Sequence, residues 1–170
     1  MGKSINTIIM MSLIFLSALN SYADQSNTTH PEAVRGFRYA IPKGWTIAEV
    51  HGLKYKMAHG ITSDGFTPNI KIVDETFDGS VEDFANINLE QIKAKNLKNS
   101  GKSNFVTNSG IKGFKLVTET TQGRNHLRQA FYFFNGKGGK KLVVTCSSLA
   151  KDGDTFSKLF DDSLKSFDVK

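Results

Sequence analysis

FKLVTETTQGRNHLRQAFYFFNGKGGKKLVVTCSS, from Phe114 to Ser148, carries the architecture of this chain. Phe114, Leu116 and Thr118 alternate with Lys115, Val117 and Glu119, the period-two pattern of a half-buried strand. The Gln122-Gly123-Arg124-Asn125 turn leads into Leu127 through Phe134. Asn135-Gly136-Lys137-Gly138-Gly139 then turns the chain into Leu142 through Ser148. Three strands joined by short Gly/Asn turns make an antiparallel meander. Phe131 to Phe134 and Leu142 to Val144 are apolar on both sides, which predicts a sheet covered on both faces there.

Strand signals extend toward the N-terminus. In GFRYAIP, Phe37, Tyr39 and Ile41 alternate with Arg38 and Ala40. Pro42-Lys43-Gly44 makes a turn, and Trp45 to Val50 reads as a second strand. His51-Gly52 breaks it. Leu53, Tyr55 and Met57 then alternate with Lys54, Lys56 and Ala58, and a Gly-rich loop separates them from a strand holding Ile70 and Ile72. The first helix is predicted to start at Ser80, whose hydroxyl can cap free backbone N–H groups, with Asp83 at the reciprocal position of a capping box. Val81, Phe84, Ala85, Leu89 and Ile92 share one face at about 100° per residue. Asn99 and Gly101 are read as its end. Lys93, Lys95 and Lys98 are read as a solvated surface.

A second helix follows the meander. Asp152 or Asp154 is its expected cap, and Phe156, Leu159, Phe160, Ser163, Leu164 and Phe167 recur at the spacing of a buried stripe. Strands, helix, strands, helix is an α+β order: one mostly antiparallel sheet with helices packed on its faces.

The first 23 residues read as an export signal. Lys3 is the positive region, Ile8 to Leu19 the apolar run, and Ser21 and Ala23 the small residues before a cleavage that leaves Asp24 first. The apolar run is about half the ~20 residues needed to span a bilayer, so no membrane span is expected. Residues 24–34 (DQSNTTHPEAV) read as a flexible polar leader containing the sequon Asn27-Thr28-Thr29. A single domain is expected over residues 35–170, in a periplasmic or secreted protein.

After cleavage, 147 of the 170 residues remain, with 21 basic and 16 acidic side chains and a formal charge of +5. That balance favours solubility and attraction to anionic surfaces. The charge is spread without a basic block, so no nucleic-acid partner is expected. The single cysteine, Cys146, lies in the β-branched run LVVTCSS. It cannot pair within the chain and reads as a small buried hydrophobe.

The edges of the domain resemble PsbP-like domains. GFRYAIPKGW at Gly36–Trp45 resembles their opening strand, proline turn and tryptophan. TPNIKIVDE at Thr67–Glu75 is similar to their asparagine-containing strand, and GSVEDF at Gly79–Phe84 to their helix entry. Lys141-Leu142-Val143-Val144, followed by a helix ending in Ser166-Phe167, resembles their close. The resemblance covers the whole mature domain in order and implies an α-β-α sandwich around an antiparallel sheet. Plant and cyanobacterial members serve photosystem II. Others, the DcrB-like proteins among them, are exported bacterial proteins. What carries over is the fold and a non-enzymatic role.

Catalytic patterns fail on spacing. His30, His51, His59 and His126 are dispersed, and neither HxxxH nor CxxC occurs. Gly101-Lys102-Ser103 has Asn96 where a phosphate-binding loop needs its first glycine. No GxSxG elbow exists. Asp74-Glu75 and Asp161-Asp162 are neighbours in sequence, and neighbours in a strand or helix point apart. No catalytic residue, cofactor or metal is therefore expected.

The expected function is that of an exported, non-catalytic accessory or assembly protein, a monomer binding an acidic protein or envelope complex. Its expected contact is the pair of basic turns of the meander, with Arg124, His126 and Arg128 at one and Lys137, Lys140 and Lys141 at the other. The alternatives are a small-molecule carrier with an apolar pocket lined by some of the thirteen Phe, and a hydrolase whose residues converge only in space.

Overall fold

The computed structural model describes residues 36–169. The signal segment, the leader and the sequon lie outside the described residues. The chain runs β1 (Phe37–Arg38), β2 (Thr46–Ala48), β3 (Met57–His59), β4 (Asn69–Thr76), α1 (Val81–Ala94), β5 (Lys98–Val106), β6 (Lys112–Gln122), β7 (Asn125–Asn135), β8 (Lys140–Leu149), α2 (Gly153–Lys165) and β9 (Asp168–Val169). A one-turn 3-10 helix, Ala150–Asp152, joins β8 to α2. Seven strands form one antiparallel sheet in the order β2-β3-β4-β8-β7-β6-β5.

The pleat sends alternate side chains to opposite faces, and each face meets one helix. Leu116, Phe131, Phe133 and Val143 pack under Phe84, Ala85 and Ile92 of α1. Ile72, Tyr132, Phe134, Val144 and Cys146 pack under Phe160 and Leu164 of α2. The strands that are apolar on both sides are β7 and β8, near the middle of the sheet, where both helices bear on them. Burying each Phe ring contributes about 1.5–3 kcal/mol.

Local signals place the helices. Ser80 caps α1 through the Asp83 N–H at 3.0 Å, and the Asp83 carboxylate accepts from the Ser80 N–H at 3.2 Å, closing the capping box. Asp152 sits at the N-cap of α2 without a side-chain bond, and Asp154 lies in the first turn. Phe167 falls just past α2 yet stays buried, its ring stacked 4.6 Å from Phe134 and 5.8 Å from Phe37. There β1 and β9 pair as a two-stranded ribbon, Phe37 opposite Val169.

Several boundaries differ from the sequence reading. Helix α1 stops at Ala94 because Asn96 takes a left-handed conformation (φ 53°), so Lys98 lies in a strand and not on a helix wheel. Lys98–Val106 is the edge strand β5, with a bulge between Asn99 and Lys102 where Gly101 has φ 76°. Val50 to Leu53 is a turn closed by the Leu53 N–H bonding to the Val50 carbonyl, and Lys54 to Lys56 stay unpaired, so strand pairing starts only at Met57. The second strand shrinks correspondingly to Thr46–Ala48.

Candidate functional site

The meander separates the two basic turns. Consecutive hairpins lie at opposite ends of the strand they share, and β7 is 11 residues long. At roughly 3.3 Å per residue the turns stand about 35 Å apart. Arg124, His126 and Arg128 are at one end of the sheet, and Lys137 and Lys140 at the other, so the six residues form no single surface.

At the first end most cations face carboxylates of the same domain. Arg128 Nη1 lies 3.3 Å from Asp154, and His126 Nε2 lies 3.7 Å from Glu119. Glu119 also accepts from Lys98 at 2.7 Å, which holds its carboxyl below the usual range. Lys151 pairs with Asp64 of the β3–β4 loop. That loop passes close to Arg124, since a Cβ at Gly65 would lie 3.3 Å from Arg124 Nη2. Arg128 lies over Gly153, where a Cβ would approach its Cδ to 2.6 Å, so glycine at the start of α2 makes room for the arginine stem.

The second end is different. Gly138 and Gly139 take left-handed conformations (φ 62° and 74°) that let the β7–β8 turn close. Lys140 Nζ donates to Thr76 Oγ1 at 2.7 Å and lies 4.0 Å from Asp74 Oδ2. Lys54 donates to that same Oδ2 at 2.6 Å, and its ammonium stands 5.0 Å from the centre of the Tyr55 ring. The Asp74 hydrogen bond, and then that of Tyr55, raise the Lys54 pKa above its ordinary value. Lys137 completes the rim of a cleft of about 220 Å³ whose apolar lining includes Phe37, Leu142 and Val169. Two ammonium groups therefore converge on one carboxylate, and Lys137 lines the same cleft.

Lys141 does not join them. It is 6% exposed and belongs to β8, where the pleat turns it away from Lys140 and sets it opposite Glu75 in register. Burial, and then Asp74, raise the Glu75 pKa. Sequence reasoning also passed over Lys54 and Asp74. Lys54 was one polar member of an alternating run, and Asp74 was set aside with Glu75 as a poor dyad. The pair does point to opposite sides, and that frees Asp74 for the lysines.

A second polar cluster lies under α2. Lys115 Nζ contacts both oxygens of Asp161 at 2.7 and 2.8 Å, and the Tyr132 hydroxyl donates to Asp161 at 2.7 Å. Burial pushes the Tyr132 phenol and the Cys146 thiol well up, so each stays protonated and unreactive as a nucleophile. Asp162 points elsewhere, to Lys158. Among the described residues no three His, Cys, Asp or Glu side chains gather as a metal site. No helix among them is long and apolar enough to cross a membrane.

An antiparallel sheet carrying one helix on each face is a PsbP-like α+β fold, and solved structures bear this out. LpqN of Mycobacterium tuberculosis, described as involved in cell envelope biogenesis, superimposes with a TM-score of 0.63 at 14% identity, over 82% of this chain and 87% of that one. Cyanobacterial PsbP (CyanoP) from Synechocystis gives a TM-score of 0.58 at 15% identity, over 89% and 99%. A Pseudomonas aeruginosa protein of unknown function gives 0.53 at 12% identity, over 72% and 94%. No protein-family model and no curated protein matches the sequence.

Proposed function

We propose that this domain is an exported, non-catalytic accessory module that docks on an acidic protein or envelope complex through the lysine end of its sheet. The observation that carries this reading is the balance of charge there among the described residues: Lys54, Lys137 and Lys140 line one cleft with the carboxylate of Asp74. Clustered, half-exposed ammonium groups steer an acidic partner and speed its encounter. At the other end Arg128, Lys98 and Lys151 already face carboxylates, which leaves less field for a partner. The export-type N-terminus and LpqN's involvement in cell envelope biogenesis support the compartment.

The alternatives have less support. A carrier needs open space between sheet and helix, but rings fill it: Phe84 meets Phe133 at 5.9 Å on one face, and Trp45 meets Phe160 at 6.1 Å on the other. A hydrolase needs an activated nucleophile, and the cluster under α2 offers a phenol and a thiol held protonated.

Reversing charge with Lys137→Glu and Lys140→Glu should abolish low-salt capture of the partner from the organism's own envelope extract. Lys158→Glu, on an exposed face of α2, should leave capture intact. Capture that survives the double reversal removes the lysine end as the contact.

A further inference from the structure

We propose that the lysine cleft is a carboxylate-exchange site, in which Asp74 holds Lys54 and Lys140 ready and yields them to a Glu or Asp side chain of a partner's acidic segment. This rests on the docking function proposed above and adds the ligand group and the residue that competes with it.

Both ammonium groups converge on one oxygen, Asp74 Oδ2, at 2.6 and 4.0 Å. The Asp74 side chain is only 10% exposed, while those of Lys54 and Lys140 are 50% and 42% exposed. The carboxylate thus sits inside and the cations outside it, open to solvent. An ammonium carries more N–H donors than either lysine spends on Asp74, Thr76 or Tyr55, so each can bind a second acceptor. With Lys137 also lining it, the cleft holds three lysines to one carboxylate among the described residues.

Size and lining select the ligand. A cleft of about 220 Å³ holds the end of an acidic side chain, since a water needs only about 10–15 Å³ on the same scale. The apolar floor of Phe37, Leu142 and Val169 suits the methylene stem of Glu or Asp, and would leave the outer oxygens of a phosphate against hydrocarbon. Asp74 holds the two ammonium groups from the inner side, and the incoming group would take them from the outer one. Asp74 keeps the lysines from straying and lowers their net attraction until a second carboxylate arrives.

The test is fluorescence anisotropy with a short labelled polyglutamate peptide at low salt. The wild-type domain should bind it, and Lys54→Gln with Lys140→Gln should lose it. Asp74→Asn removes a like charge about 4 Å from the bound carboxylate and should tighten binding about tenfold. Asp64→Asn, at the far end, should change nothing. In the wild type, the carbon-13 resonance of the Asp74 carboxyl should move on titration while that of Asp64 stays still.

Asp74→Asn binding no more tightly than wild type, or an Asp74 resonance that does not move, overturns the exchange while leaving the docking function standing. Wild-type protein that ignores polyglutamate but captures its partner through Lys137 and Lys140 overturns the carboxylate class, as does stronger competition by inorganic phosphate or phosphatidylglycerol vesicles. Binding of the peptide unaffected by the lysine substitutions overturns the exchange site. Thermal melting of Asp74→Asn checks its fold, and the wild-type resonance decides the matter if that variant does not fold.

Discussion

Tyr132, fully buried in the middle of β7, donates its hydroxyl at 2.7 Å to Asp161 on α2, and so ties the helix to the sheet by a bond that passes through an apolar layer. Lys115 shares the same carboxylate, and its ammonium lies 5.3 Å from the Tyr132 ring centre. Replacing Tyr132 with Phe should cost about 1.5–3 kcal/mol, the range for a hydrogen bond to a charged group, in urea unfolding. Burial raises the Tyr132 pKa in the folded state, so the unfolded chain loses that proton first as pH climbs. Wild-type stability should therefore fall as pH rises past the ordinary phenol value of 10.0, more steeply than in Tyr132→Phe. Equal slopes in the two proteins would show that the phenol ionises as readily folded as unfolded.

Phe160 is 3% exposed and meets Trp45 at 6.1 Å and Phe156 at 5.7 Å. Phe160→Ala should destabilise the domain by about 3–5 kcal/mol, the cost of the transfer and the cavity that truncating a buried ring leaves. Chemical denaturation reads this directly. An unchanged midpoint would mean that α2 does not hold its place on the sheet.

The capping box at Ser80 predicts an acid-side effect. Hydrogen bonds from the Ser80 hydroxyl and then its backbone N–H lower the Asp83 pKa in the folded state. Its contribution is present above the ordinary carboxylate value of 3.8 and is lost as pH falls through the lowered one. Ser80→Ala should cost about 1 kcal/mol near neutrality, a typical value for an N-cap. The gap between wild type and variant should narrow in strong acid. A gap that stays constant down to pH 2 would assign the loss to the Ser80 hydroxyl alone.

Cys146 is fully buried in β8 between β4 and β7, and its thiol is pushed well above the ordinary range by burial. A thiol reagent at pH 8 should label it at the rate of global unfolding, and adding denaturant should speed labelling in step with loss of structure. Immediate labelling of native protein would place Cys146 in a segment that opens locally.

What the chain displays in its sequence follows burial. Strands β6 to β8 and both helices bury regular stripes, so period alone reveals them, and Ser80 with Asp83 marks a helix start to the residue. Strand β5 escaped because an edge strand has one neighbour and little to bury. Its KNSG opening resembles a helix stop, and its only fully buried apolar side chain is Phe105. The site was half visible. Turn composition brought out Lys137 and Lys140, but two hairpins in succession look alike in sequence while lying far apart in space. Lys54 and Asp74 are 20 residues apart and meet because β3 pairs antiparallel with β4, a register that carried outward sets Lys54 across from Asp74, while Lys140 reaches the same carboxylate through the separate β4–β8 pairing. Nothing in their local sequence carries that information.

The ribbon of β1 with β9 gives the domain an order of assembly. Phe37 is among the first of the described residues to leave the ribosome or a translocation channel, and its only strand partner, Val169, is among the last. Ala40 is held in the same late way, its N–H by Ser166 and its carbonyl by Ser163. The meander can pair as it emerges, because its contacts are local. The opening segment has to wait. A chain halted before α2 keeps Phe37, Tyr39 and Trp45 in search of a surface, which is the condition a holding chaperone recognises.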